Sequence, residues 1–236
     1  MTKANRSLIH LDNEEKVIDF CLVHFIDEAN FAIDSHDNFC VALSGGSTPK
    51  KFYDALTQSE EAQTLDWSKI CLFWSDERSV PATHADSNYN MAMQFFSKAP
   101  FNQAQVFRME ADREDRVQAA ADYAENILKH CYGGRFDLVY LGLGEDGHIA
   151  SLFPGTEALG VKNKLVVANY VPNLKTWRMT LTFHCINEAR NIVLIATGPK
   201  KTTILHEVLD SKDQTLFPAQ SISGRETPAF FVTDSY

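Results

Sequence analysis

The chain has 236 residues, 44% of them apolar and 22% charged, the balance of an ordinary globular protein. Its net charge of -9 argues against a nucleic-acid partner, which needs a basic surface, but leaves room for a small anionic ligand held by a few local Lys or Arg. Met1 to Glu15 holds no apolar signal core, and no apolar run approaches the roughly 18 residues of a membrane span, so no membrane partner is indicated and a cytoplasmic location is expected.

In chain order, Asp12 followed by Glu15 reads as a capping box, and Val17, Ile18, Cys21, Leu22, Phe25 and Ile26 recur at helical spacing over residues 13–34. Asn38 to Leu43 reads as a strand. Thr48-Pro49 reads as a cap and first helical residue, with a helix to about Ser59. Lys69 to Trp74 is a second strand. Asp86 to Ser97 and Arg113 to His130 read as helices, and Phe136 to Leu141 as a buried strand. Strands follow at Lys164 to Tyr170, Trp177 to Phe183 and Asn191 to Ala196, then a helix over Pro199 to Leu209 and a last strand at Ala229 to Val232.

Strands alternating with helices predict one α/β domain over residues 1–236, a largely parallel Rossmann-like sheet with helices on both faces. The denser strands after residue 160 allow a small subsidiary layer. Cys21, Cys40, Cys71, Cys131 and Cys185 are scattered and odd in number, with no C-x-x-C pair, so neither a disulfide framework nor a zinc site is expected. No metal set is visible.

Three loops carry polar chemistry. Ser44-Gly45-Gly46-Ser47-Thr48 joins a strand to a helix, where glycine backbone, hydroxyls and a helix N-terminus make either a phosphate cradle or a capped tight turn. Its lack of Gly-Lys-Ser/Thr excludes a Walker A loop. Asp76-Glu77-Arg78 follows the next strand; alone it reads as a solvated charge run, with Arg78 suited to grip a phosphate. Gly142 to Gly155 carries Glu145, Asp146 and His148 beyond a strand end, where open α/β sheets bind ligands. Gly142-x-Gly144-x-x-Gly147 matches the dinucleotide fingerprint only formally. Glu145 and Asp146 would repel a pyrophosphate, and Phe153-Pro154-Gly155 breaks the helix that should follow. General acid–base chemistry fits better: His148 takes a proton from water, oriented by Asp146 or Glu145. Lys175, Arg178, Lys200 and Lys201 are further cations near strand ends. No G-x-S-x-G elbow surrounds Ser44 or Ser151, which disfavours a serine hydrolase.

Taken together, the loops resemble the family of glucosamine-6-phosphate isomerases and 6-phosphogluconolactonases. The resemblance is carried by Leu43-Ser44-Gly45-Gly46-Ser47-Thr48-Pro49, by Asp76-Glu77-Arg78-x-Val80-Pro81 with Ser87-Asn88-Tyr89, by Gly142-Leu143-Gly144-Glu145-Asp146-Gly147-His148-x-Ala150-Ser151-Leu152-Phe153-Pro154, and by Arg178-x-Thr180-Leu181-Thr182. They occur in the family's order across nearly the whole chain. The deaminase branch follows its Asp-Gly-His with an Asn-Glu-Pro stretch; Ser151-Leu152-Phe153-Pro154 stands there instead, as in lactonases. A Lys-Pro-Pro run common in lactonases is replaced by Val171-Pro172-Asn173-Leu174-Lys175-Thr176-Trp177.

The resemblance implies an isomerase/deaminase-like fold and hydrolysis of 6-phospho-D-glucono-1,5-lactone to 6-phospho-D-gluconate in the oxidative pentose phosphate pathway. His148 would be the base and Asp146 its orienting carboxylate. Ser44, Gly45, Gly46, Ser47 and Thr48 would cradle the phosphate, and Arg78, Arg178, Lys175 and Lys201 would neutralise it. The implied partner is a small sugar phosphate, with no metal or organic cofactor, in a monomer or small homo-oligomer. A sugar-phosphate isomerase or deaminase, and a non-catalytic phosphosugar sensor, are the competing readings.

Overall fold

The computed structural model describes residues 4–236. Among these, ten strands form two sheets. Seven make a fully parallel sheet: β1 (Arg6–His10), β2 (Phe39–Leu43), β3 (Ile70–Trp74), β5 (Gln105–Val106), β6 (Leu138–Gly142), β9 (Asn191–Ala196) and β10 (Ala229–Thr233), in the order β1-β10-β9-β6-β2-β3-β5. The other three, β4 (Asp76–Arg78), β7 (Val166–Val171) and β8 (Thr176–Leu181), form an antiparallel sheet in the order β4-β8-β7. The subsidiary layer expected after residue 160 is this sheet, with β4 recruited from much earlier in the chain.

Helices α1 (Glu14–His36), α2 (Ser47–Gln58), α3 (Glu60–Gln63) and α4 (Asn88–Phe96) share one hydrophobic core with the large sheet. Helices α5 (Arg116–His130), α6 (Phe183–Asn187) and α7 (Thr202–Asp210) and the small sheet share the core on the opposite face. The inner strands show why they fold this way. All five residues of β2 are buried; Phe39, Val41 and Leu43 enter the α1 side while Cys40 and Ala42 enter the α5 side. A strand covered on both faces reads as an unbroken apolar run, and each large side chain buried contributes about 1.5–3 kcal/mol. All five cysteines are buried thiols.

Local signals differ in detail from the sequence reading. The cap of α1 is Asn13, whose side chain accepts from the Lys16 N–H at 3.0 Å, not an Asp12–Glu15 box. Helix α2 starts at Ser47, so Pro49 occupies its third position. The Pro199–Leu209 helix opens as a 3-10 turn, Pro199–Lys201, before α7. Strand β1 escaped the reading because it is a half-exposed edge strand of mixed polarity. The Asp76-Glu77-Arg78 run is not solvated: it is β4, with Asp76 and Glu77 buried.

Strand order sets the ligand position. From β2 the chain proceeds outward through β3 and β5; β6, β9 and β10 add on the other side of β2. The loops leaving β2 and β6 therefore diverge, and a crevice opens at the carboxyl ends of the strands. Two buried tyrosines stiffen this edge. Tyr53 Oη accepts from the Ser44 N–H at 3.0 Å and donates to the Ser44 carbonyl at 2.7 Å; Tyr123 Oη does the same for Trp74, at 2.7 and 3.1 Å.

Candidate active site

The crevice is a cavity of about 300 Å³, lined by the loops that follow β2, β6 and β9 and by β4. Ser44, Gly45, Gly46, Ser47 and Thr48 form one wall. Gly46 sits at φ 113, a conformation open to glycine, and turns the chain into α2. The N–H groups of Gly45 to Thr48 have no partner among the described residues and lie at the positive end of a twelve-residue helix. The Ser44 N–H, in contrast, is already taken by Tyr53. Thr48 Oγ1 lies 2.6 Å from Thr197 Oγ1, tying this wall to the loop after β9, which also brings Lys201 to the cavity.

The small sheet supplies the cationic wall. In the β4–β8 register Asp76 faces Thr180 and Arg78 faces Arg178. Side chains alternate along a strand, so these four share one face. Asp76 and Arg78 line the cavity. Arg78 donates to the Asp86 carbonyl at 2.6 Å and Arg178 to the Trp177 carbonyl at 3.3 Å, and neither has an ion pair among the described residues. Burial, then the like charge of Arg78, lowers the pKa of Arg178. Two adjacent guanidinium groups, neither in an ion pair among those residues, have the planar donors that suit an anion. The neighbouring Glu77 points the other way. It accepts from the N–H groups of Arg78, Asn88 and Tyr89 and from Ser87 Oγ, at 2.7–3.0 Å, and so anchors the start of α4. Burial raises its carboxyl pKa although these bonds pull it down.

The loop after β6 carries the titratable pair. His148 Nδ1 lies 2.5 Å from Asp146 Oδ1, which also accepts from the His148 N–H at 3.2 Å. Asp146, not Glu145, is thus the carboxylate that orients the ring. Burial pushes the Asp146 carboxyl up, but the hydrogen bonds from His148 outweigh it and the net value is lowered. The ring stacks on Phe153 at 4.0 Å between centroids. Gly144 is required here because a Cβ would collide with the His148 ring. Beyond it, Ala150 adopts φ 47, a left-handed strain of about 1–2 kcal/mol in a residue that lines the cavity. Ser151 then donates to Asp76 Oδ2 at 2.6 Å and from its N–H to Thr180 Oγ1 at 3.2 Å. The histidine loop is thereby fastened to the cationic wall.

Of the residues singled out in the sequence, His148, Ser44 to Thr48, Arg78 and Lys201 line one cavity. Asp146 reaches it through His148 and Arg178 lies beside Arg78. Lys175 does not line it: it stands at φ 51 in the turn between β7 and β8. Asp76 and Thr197 line the cavity and were missed. Asp76 was hidden in what read as a charge run, and Thr197 had only its place before Gly198 as a signal. Among the described residues no group of three or more His, Cys, Asp or Glu is arranged to hold a metal ion.

Residues 12–230 match the family described as glucosamine-6-phosphate isomerases/6-phosphogluconolactonase. The chain belongs to this family. Two curated members similar to it are the 6-phosphogluconolactonases of Chlamydia pneumoniae, 40% identical over 91% of this chain and 83% of that one, and of Chlamydia muridarum, 38% identical over 100% and 90%. Among solved structures, a 6-phosphogluconolactonase from Shewanella baltica superposes with a TM-score of 0.84 at 25% identity, covering 97% of each chain. The family's α/β fold, with its mostly parallel central sheet, is the one described above.

Proposed function

We propose that the chain hydrolyses 6-phospho-D-glucono-1,5-lactone to 6-phospho-D-gluconate, with His148 activating water. The observation that carries this reading is one cavity lined by His148, which Asp146 orients, by Arg78 and Lys201, and by the free N–H groups of the α2 terminus. The names of the curated relatives support the same substrate.

The phosphate enters the cradle of Gly45 to Thr48 and is neutralised by Arg78, Arg178 and Lys201. This distant anchor places the lactone carbonyl beside His148 and turns the attack of water into a step within one complex. Asp146 accepts a hydrogen bond from Nδ1–H, which leaves the Nε2 lone pair free. Nε2 takes a proton as water adds to the carbonyl. Asp146 stabilises the resulting imidazolium, which returns the proton to the ring oxygen as the C–O bond breaks. Asp76, a buried carboxylate in the lining, is placed to accept from a sugar hydroxyl. Ser151-Leu152-Phe153-Pro154 stands where the deaminase branch of the family carries its Asn-Glu-Pro stretch.

The test is lactone hydrolysis with substrate generated in place from glucose 6-phosphate, followed against an enzyme-free control. Wild type accelerates the decay, and His148→Ala falls by about 10²–10⁴-fold, roughly 3–5 kcal/mol of transition-state stabilisation. Glucosamine 6-phosphate releases no ammonia. Folded wild type that leaves the lactone decay at background would reject the proposal.

A further inference from the structure

A second cavity lies away from the active site. A groove of about 830 Å³ runs between α5 and the segment from Glu157 to Ala168 that ends in β7. Its helical wall is an apolar stripe, Val117, Ala121, Ala124 and Leu128, spaced four, three and four residues apart. Val117 and Leu128 are 68% and 61% exposed although both are large and apolar. On the neighbouring β7–β8 hairpin Tyr170 and Trp177 are also exposed, with their rings 5.4 Å apart. Exposed large apolar side chains grouped in this way mark an interaction site.

Two features specify the occupant. The stripe reads large-small-small-large in both directions. Antiparallel copies of α5 crossing between Asp122 and Tyr123 set Val117 against Leu128 and Ala121 against Ala124, and the alanines let the backbones approach. The walls also differ in charge: Glu125 projects from the helical side, while Lys162 and Lys164 project from the other, all exposed and without ion pairs among the described residues. A two-fold contact must be complementary to itself, and this groove is so in the order of its helical side chains and in charge. Arg116, which comes opposite Lys129, is turned onto the Trp177 ring at 5.8 Å.

We propose that two copies of the chain associate about a two-fold axis through this face. Each α5 lies in the other copy's groove, with Glu125 of one copy against Lys162 and Lys164 of the other. The stripe covers about 17 Å of helix, and with Tyr170 and Trp177 the contact is of modest area, so the dimer is concentration-dependent.

Sedimentation velocity of the full chain over a wide concentration range tests this. Wild type passes from one chain to two as concentration rises. Leu128→Glu, which leaves the circular dichroism spectrum unchanged, raises the dissociation constant by about tenfold or more. Glu125→Lys alone, and Lys162→Glu with Lys164→Glu, each weaken the dimer; all three changes together restore it. A wild type that stays a single chain at every concentration overturns the proposal. So does a dimer unmoved by Leu128→Glu, or a combined variant no tighter than its parents.

Discussion

Arg78 and Arg178 face each other across β4 and β8 with no carboxylate paired to either. Burial and the like charge of Arg78 lower the Arg178 pKa against the pull of Asp76, Glu77 and Asp86, and an anion between the two guanidinium groups would relieve their repulsion. Filling this site is what the phosphate of a sugar-phosphate substrate would do, and it gives the first prediction. Arg178→Ala, which removes one charge-assisted contact of about 1.5–3 kcal/mol, raises KM roughly 10–100-fold and leaves kcat within a few-fold. Arg178→Lys recovers only part of the loss, because an ammonium group lacks the planar fork. Steady-state kinetics on freshly generated lactone separates the two constants.

Asp146 acts through the ring it holds. Asp146→Asn keeps the shape but loses the charge that stabilises the imidazolium, so kcat falls by about 10²–10⁴-fold while KM changes little. An equal loss in both constants would mean that the substitution disturbs binding instead.

The same pair predicts a pH dependence of stability. The Asp146 carboxyl is lowered in the folded chain from its ordinary 3.8, burial raising it and the bonds from His148 outweighing that. Its contribution is therefore fully present above pH 3.8 and is lost as pH falls through the lower folded value. Wild type and Asp146→Asn should differ in urea midpoint near neutrality and converge as the solution becomes more acidic than 3.8. The difference is small because the Asp146 side chain is half exposed.

Gly144→Ala tests the fit of the histidine loop. The added methyl group meets the His148 ring, so the ring must move. A displacement of about 1 Å at a reacting group costs on the order of 10²-fold in rate. The variant should bind inorganic phosphate as wild type does, while kcat falls by that order.

Ser151→Ala removes the 2.6 Å bond to Asp76 and leaves Oδ2 of a buried carboxylate without that donor. Folding stability should drop by about 1–3 kcal/mol in urea denaturation. Turnover should fall as well, because the bond ties the His148 loop to the Arg78 wall. A variant as stable as wild type would remove Ser151 from this role.

What the sequence determined by itself has local causes. The apolar runs of β2, β3, β6 and β9 show because strands buried on both faces admit little else, and α1 shows through its helical spacing. The Ser44 to Thr48 loop and the Gly142 to Gly155 loop carrying His148 are legible because their polar residues lie within short consecutive stretches. The tertiary structure decided what depends on distant pairing. It turned Asp76-Glu77-Arg78 into a buried strand, set Arg78 beside Arg178, joined Ser151 to Asp76, and left Lys175 at a hairpin turn outside the cavity. It also chose Asp146 over Glu145, although the two are adjacent in sequence. A charged side chain such as Asp76 or Arg78 has the same local pattern whether it is solvated or buried in a strand. Only the register between strands far apart in the chain decides between the two.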